Sequence, residues 1–301
     1  MAQADPAHCT VELDVASALS LGARERQEDA LATAFPQGAE VGFAILSDGM
    51  GGHAAGDLAS RIIVSEIFAE LTLRSNGAQL RQAGVPRLLR YAADVANDCL
   101  RDHVEANPSK SGMGGTVITT LIEDGRLHWL SIGDSLLYLF RNNELIRLNE
   151  DHSMAPQIDL MVKKGLMDPD TARRHPQRSC LTSALIGETI AAVDCPDEPL
   201  ELMEGDVIVA ASDGLESLTA AEITAILKKV HRRDSRGIAG ALIDAVATIG
   251  DPEQDNTSVV VMKAVATEHA ADPAWVAPVT MFRAAARAMS PVRQIVTRTV
   301  R

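Results

Sequence analysis

Four aspartates stand where apolar runs begin or end. Residues 41–46 run into Ser47-Asp48-Gly49-Met50-Gly51-Gly52, and residues 207–211 run into Ser212-Asp213-Gly214. Residues 127–132 lead into Gly133-Asp134-Ser135, and Asp255-Asn256 sits directly before residues 257–261. Runs of this length suit a buried strand and are short for a helix. If the four ends share one edge of a core, their carboxylates cannot all ionise without cations between them. Hard divalent ions with oxygen ligands, Mg²⁺ or Mn²⁺, match that chemistry. For Asp48 alone a second reading is equally open, that it caps a following helix, because Asp is a favoured N-cap.

The bulk of the chain permits such a site. Its 301 residues, 46% of them hydrophobic, are ample for a real core, and with only 3% aromatics that core must rest on Ala, Val, Ile and Leu. The net charge of −13 argues against a general nucleic-acid binder, which needs a basic face. Cys9, Cys99, Cys180 and Cys195 are far apart with no CxxC, so neither a disulfide framework nor a zinc site is expected, and a reducing, cytoplasmic setting fits. Residues 1–10 lack a basic and an apolar region, so no signal peptide is expected. No apolar stretch approaches membrane-spanning length.

The elements that must position the aspartates read as follows. Strands are expected at 11–21, 30–35 and 41–46, joined by short turns, which suggests antiparallel pairing. Helices follow at 53–73 and 86–104, the second with Pro86 in its first turn. Strands resume at 116–122, 127–132, 136–140 and 145–148, with hairpin chemistry at Glu123-Asp124-Gly125 and Arg141-Asn142-Asn143. Asp151-His152-Ser153 can cap a helix over 154–165, His152 being structural, and the polar stretch 167–178 reads as a surface excursion. Strands at 190–193 and 207–211, helices at 220–230 and 235–249, and a last strand at 257–264 complete the pattern. This is not βαβ alternation, and antiparallel sheet covered by helix pairs accounts for it. One domain over 11–266 is expected, after a flexible N-terminus at 1–10. From Pro273 onward Arg283, Arg287, Arg293, Arg298 and Arg301 occur with no Asp or Glu. This tail, 267–301, reads either as disordered or as a helix that docks on the acidic body, a partner or an anionic membrane.

Taken together, Arg24…Glu28-Asp29, Ser47-Asp48-Gly49-Met50-Gly51-Gly52, Gly114-Gly115-Thr116, Gly133-Asp134-Ser135, Asp151-His152-Ser153, Ser212-Asp213-Gly214 and Asp255-Asn256 come in an order that resembles the bacterial metal-dependent protein serine/threonine phosphatases, the PPM or type 2C family. The resemblance covers about residues 11–266. Each motif alone is weak, and seven in order are specific. The family implies an α+β fold, two packed antiparallel β-sheets flanked by pairs of helices, an αββα sandwich. It implies that Asp48 bridges two Mn²⁺ or Mg²⁺ ions, that the Gly49 carbonyl binds one of them, and that Asp213 and Asp255 complete the other's shell. Glu28 and Asp29 would lie beside the ions through water, Asp134 would hold a third, weaker ion, and Arg24 would bind phosphate. The implied activity is hydrolysis of phosphoserine and phosphothreonine in proteins that a serine/threonine kinase modifies, by a water that the metal pair activates.

Some positions depart from the family or stay open. Eukaryotic members carry a His directly after the Asp-Gly pair, where this chain has Met50. His53 or water could then protonate the leaving oxygen, and His53 reads equally as a surface residue at a helix start. Two family arginines are replaced by Leu136 and Ser183. By itself Arg24 reads as a surface ion pair with Glu25 or Glu28, and Asp134 as a turn residue. Residues 154–180 resemble the flap beside the site, where Lys163, Lys164, Arg173, Arg174 and Arg178 could meet an anionic phosphoprotein or form a solvated basic face. A phosphate-sensing or scaffolding module with little turnover is the alternative function.

Overall fold

The computed structural model describes residues 11–36, 41–51, 55–75 and 84–266. His53 and the two terminal segments, 1–10 and 267–301, lie outside them.

Period-two alternation sorts the strand residues into layers. In β3 (Val41–Met50), Phe43 and Ile45 face one core and Ala44 and Leu46 face another. In β10 (Val207–Ala211), Val207, Val209 and Ala211 face a third core, while Ile208 and Ala210 share the layer of Ala44 and Leu46. Strands apolar on both faces must be covered on both faces. The result is two antiparallel sheets, back to back, with helices outside each.

One sheet has the order β1 (Val11–Ser20), β11 (Thr257–Ala266), β10, β7 (Leu136–Arg141), β8 (Glu144–Arg147). The other runs β2 (Asp29–Ala34), β3, β5 (Val117–Glu123), β6 (Arg126–Ile132), β9 (Leu200–Glu201), with the two-residue β4 (Gly114–Gly115) also pairing with β3. The layer between the sheets is closed by Leu46, Ile118, Leu127, Ile208, Val260 and Met262, all essentially sequestered from water. Burying a side chain of this kind fully stabilises the fold by roughly 1.5–3 kcal/mol.

Helices α1 (Gly56–Arg74) and α2 (Val85–Ala106) cover the second sheet through Ile63, Ile67, Leu71, Leu89 and Leu100. Two more, α5 (Ala220–Val230) and α6 (Ser235–Ile249), cover the first through Ile223, Leu227, Ile238 and Leu242. A capping box opens α5, with Thr219 and Glu222 satisfying each other's backbone N–H groups. Asp234 caps α6, and Gly250 ends it in the left-handed region. The flap carries α3 (Ala155–Lys163) and the short α4 (Pro169–Arg173). Among the described residues no helix is long and apolar enough to cross a membrane.

The αββα expectation holds, with local corrections. Residues 190–193 form no strand; Ala192 is held through its N–H and carbonyl by the Ser183 hydroxyl, and Asp194 just beyond bridges to Ser131. The stretch 167–178 does run over the surface, and a short helix, α4, forms within it. Asp48 caps no helix: it lies within β3, while α1 begins at Gly56 after Ala55 without a side-chain cap. Asp151 does not cap α3 either. Its Oδ1 accepts from the Ser153 N–H, and the Ser153 hydroxyl oxygen accepts from Ala155 N–H.

Candidate metal centre

Strand register brings the sequence-expected residues to one rim. Ala211, the last residue of β10, pairs with Val259 near the start of β11 and with Leu136 at the start of β7. The ends that carry Asp213, Asp255 and Asp134 therefore meet. Ser20 pairs with Thr257, so the turn bearing Arg24 leaves the same edge. In the other sheet Asp29 stands opposite Asp48, and Val117 opposite Ile132.

Hydrogen bonds tie the two sheets together at this rim. The Ser212 hydroxyl donates to Asp29 Oδ2 at 2.8 Å. Asn256 accepts the Glu28 N–H on Oδ1 at 2.8 Å and donates through Nδ2 to the Leu21 carbonyl at 2.9 Å. Thr116 Oγ1 accepts the Asp48 N–H at 3.1 Å and lies 2.8 Å from Ser135 Oγ, linking the Asp48 strand to the Asp134 turn. Two glycines permit the close approach. A Cβ on Gly49 would stand 2.1 Å from the Gly56 carbonyl, and one on Gly214 would stand 2.0 Å from the Asn256 carbonyl.

The electrostatics are those of crowded acids. Burial first, then the charges of Asp213 and Asp29, holds the Asp48 carboxyl well above the usual range. Asp213 is raised by burial and then by Asp255. Asp29 is pushed up to about 6, chiefly by burial, against the pull of the Ser212 hydroxyl. Asp134 is pushed up to about 7 by burial, then by Asp213 and Asp151. Oδ1 of Asp29 and Oδ1 of Asp213 are buried without a hydrogen-bond partner. Orphaned carboxylate oxygens in a cluster of like charges fit divalent cations. Among the described residues, no group of three His, Cys, Asp or Glu side chains stands ready to hold an ion alone. Water and backbone carbonyls, Gly49's among them, would have to complete each shell.

Arg24 does not pair with Glu25 or Glu28. Its Nη2 donates to Asp255 Oδ2 at 2.5 Å, with both side chains partly exposed. Ser212, Thr116 and Asn256 stand inside the motifs, and the pattern of aspartates does not reveal their task. They are the residues that lock the rim. Asp151, expected to cap a helix, instead sets its charge against Asp134. In the flap, Arg178 is paired with Asp159 at 2.7 and 3.0 Å, and Arg173 with Asp170. Lys163, Lys164 and Arg174 are exposed.

Known proteins resemble this chain over most of its length. Residues 21–162 match the family model for protein phosphatase 2C. The serine/threonine protein phosphatase PstP of Mycobacterium tuberculosis is 32% identical over 231 residues, covering 73% of this chain and 40% of PstP, so the match spans well under two thirds of that relative. The serine/threonine phosphatase stp of Listeria welshimeri is 30% identical over 223 residues, 73% of this chain and 83% of stp. A crystal structure of the PstP catalytic domain in complex with two manganese ions superposes with a TM-score of 0.68 at 29% identity, covering 85% of this chain and all of that domain.

Proposed function

Since the chain belongs to the protein phosphatase 2C family, we propose that it hydrolyses phosphoserine and phosphothreonine in proteins with two Mn²⁺ or Mg²⁺ ions at the aspartate rim. The observation that carries this is the meeting of Asp29, Asp48 and Asp213 from two sheets, with buried oxygens left over for cations. Asp48, the Gly49 carbonyl, Asp213 and Asp255 would hold the two ions, with Asp48 facing the charges of Asp213 and Asp29. Glu28 and Asp29 hold water at the ions, and Asp134 serves a third, weaker ion. Bound there, the ions would supply a water of lowered pKa and neutralise phosphoryl charge.

The chain's own residues do the rest. Arg24 offers a planar, permanently charged fork that can grip two phosphoryl oxygens. In its present place the fork holds Asp255, so phosphate and Asp255 compete for it. Gly49 and Gly214 keep the carboxylate-bearing turns within reach of each other. Met50, where eukaryotic members have a histidine, has no acidic proton to give, so the leaving oxygen takes its proton from water or from His53.

The substrates are proteins phosphorylated by a serine/threonine kinase, in the cytoplasm. Residues 11–266 are the catalytic domain.

Hydrolysis of a phosphothreonine peptide with and without Mn²⁺ tests this, with Asp48→Asn and Asp213→Asn alongside. Turnover that needs Mn²⁺ and both aspartates is expected. A native protein that binds phosphopeptide without turnover at any metal level would instead be a phosphate-sensing module.

A further inference from the structure

The flap and the Asp134 turn meet at one buried residue. Gly133, at φ +107°, has no room for a side chain, since a Cβ there would lie 2.6 Å from Thr116 Cβ. Both of its backbone polar groups are engaged by His152. The His152 N–H donates to the Gly133 carbonyl at 3.0 Å, and the Gly133 N–H donates to His152 Nδ1 at 3.2 Å. The Gly133 bond assigns the tautomer: Nδ1 accepts, so the proton sits on Nε2. On its other side, the His152 carbonyl accepts from the Thr182 N–H at 2.7 Å, and Ser153 bridges to Leu181. His152 thus stands between the turn that aims Asp134 and both ends of the flap, which leaves at Met154 and returns at Cys180.

We propose that His152 is a positioning residue for Asp134: its neutral ring accepts the Gly133 N–H and fixes the turn from which the Asp134 carboxylate reaches a cation. Arg147 and Asn149 hold the same turn one and two residues on, through the carbonyls of Asp134 and Ser135. Among the described residues the hydrogen bonds of Gly133, whose backbone torsions aim Asp134, are made with His152. The proposal rests on the assignment of a weak cation to Asp134. Partners that orient a metal's ligands matter about as much as the ligands, and losing one weakens metal binding by roughly 10- to 100-fold.

Two variants separate positioning from bulk. His152→Asn keeps an acceptor near the place of Nδ1, while His152→Leu keeps volume and removes the acceptor. Mn²⁺ binding is read by the loss of the free-ion spin-resonance signal, and phosphopeptide turnover is read against Mn²⁺ concentration. In His152→Leu the weakest ion should bind about tenfold less tightly, with the tighter pair unchanged and the fold intact by circular dichroism. His152→Asn should restore most of the affinity. In an Asp134→Asn background, His152→Leu should have no further effect on Mn²⁺ binding. Equal Mn²⁺ affinity in native and Leu proteins, equal loss in Asn and Leu, or an undiminished effect without Asp134 would overturn the proposal while native turnover stands. A Leu variant that does not fold leaves Asn against native as the deciding pair: an Asn variant that folds yet loses the weak ion contradicts it. If the native protein neither binds Mn²⁺ nor turns over, the proposed function falls as well.

Discussion

The aspartate rim and the flap beside it are built on opposite plans. At the rim, charged groups sit on strand ends, crossed by buried hydrogen bonds from Ser212, Thr116 and Asn256. In the flap, two short helices and the turns beside them leave Leu160, Met161 and Leu166 exposed, together with Lys163, Lys164 and Arg174. The rim concentrates like charges that rigid elements hold in place. The flap presents opposite charge and apolar surface on elements with little core of their own. Changes at the rim should therefore be severe and metal-linked, and changes in the flap mild and substrate-linked.

The largest effect is expected from Asp48→Asn. Turnover should fall by roughly 100-fold or more, at least the cost of losing a metal's orienting partners, in steady-state assays with saturating Mn²⁺. The metal-free protein should meanwhile melt higher at pH 8, because one buried like charge is gone. Next is Gly214→Ala, whose Cβ would collide with the Asn256 carbonyl. Forcing the Asp213 and Asp255 turns apart should cost about 1–3 kcal/mol, seen in denaturant melts, and should weaken Mn²⁺ binding with it.

Smaller is a pH effect on the metal-free protein. Asp134 at about 7 and Asp29 at about 6 bind protons more tightly folded than unfolded, where the value is 3.8. Their contribution is full below the unfolded value and is lost as pH rises through 6 and 7. Melting temperature without metal should thus fall between pH 5 and pH 8, and saturating Mn²⁺ should flatten that fall. A melting temperature that rises over this window without metal would contradict the crowding described. Smallest is Lys163→Ala with Lys164→Ala. Exposed charges of this kind contribute up to about 1 kcal/mol, so KM for an acidic phosphoprotein should rise by no more than about fivefold, with turnover of a small aryl phosphate unchanged.

How far the sequence alone reveals each region follows from the same contrast. Asp48, Asp134, Asp213 and Asp255 stood out because each borders an apolar run, and strand register then carried them to one rim. Ser212, Thr116 and Asn256 border the same runs but carry no charge to single them out, and His152 borders none. A lone polar residue shows no period, and its partner lies in a different sheet or a distant loop. Arg24 was legible as an ion-pairing residue, but its partner Asp255 is 231 positions away and no local pattern points to it. Residues 190–193 have strand-like composition, yet join no ladder; the bridge to Ser131 lies just beyond them, at Asp194. The two-residue β9 is too short to show alternation at all.

The most direct test of the central claim is anomalous scattering at the manganese edge from crystals of the protein soaked in Mn²⁺. Two strong peaks a few ångströms apart, flanked by Asp48 and within reach of Asp213 and Asp255, are expected, with a weaker one beside Asp134. Strong peaks elsewhere and none among these carboxylates would contradict it.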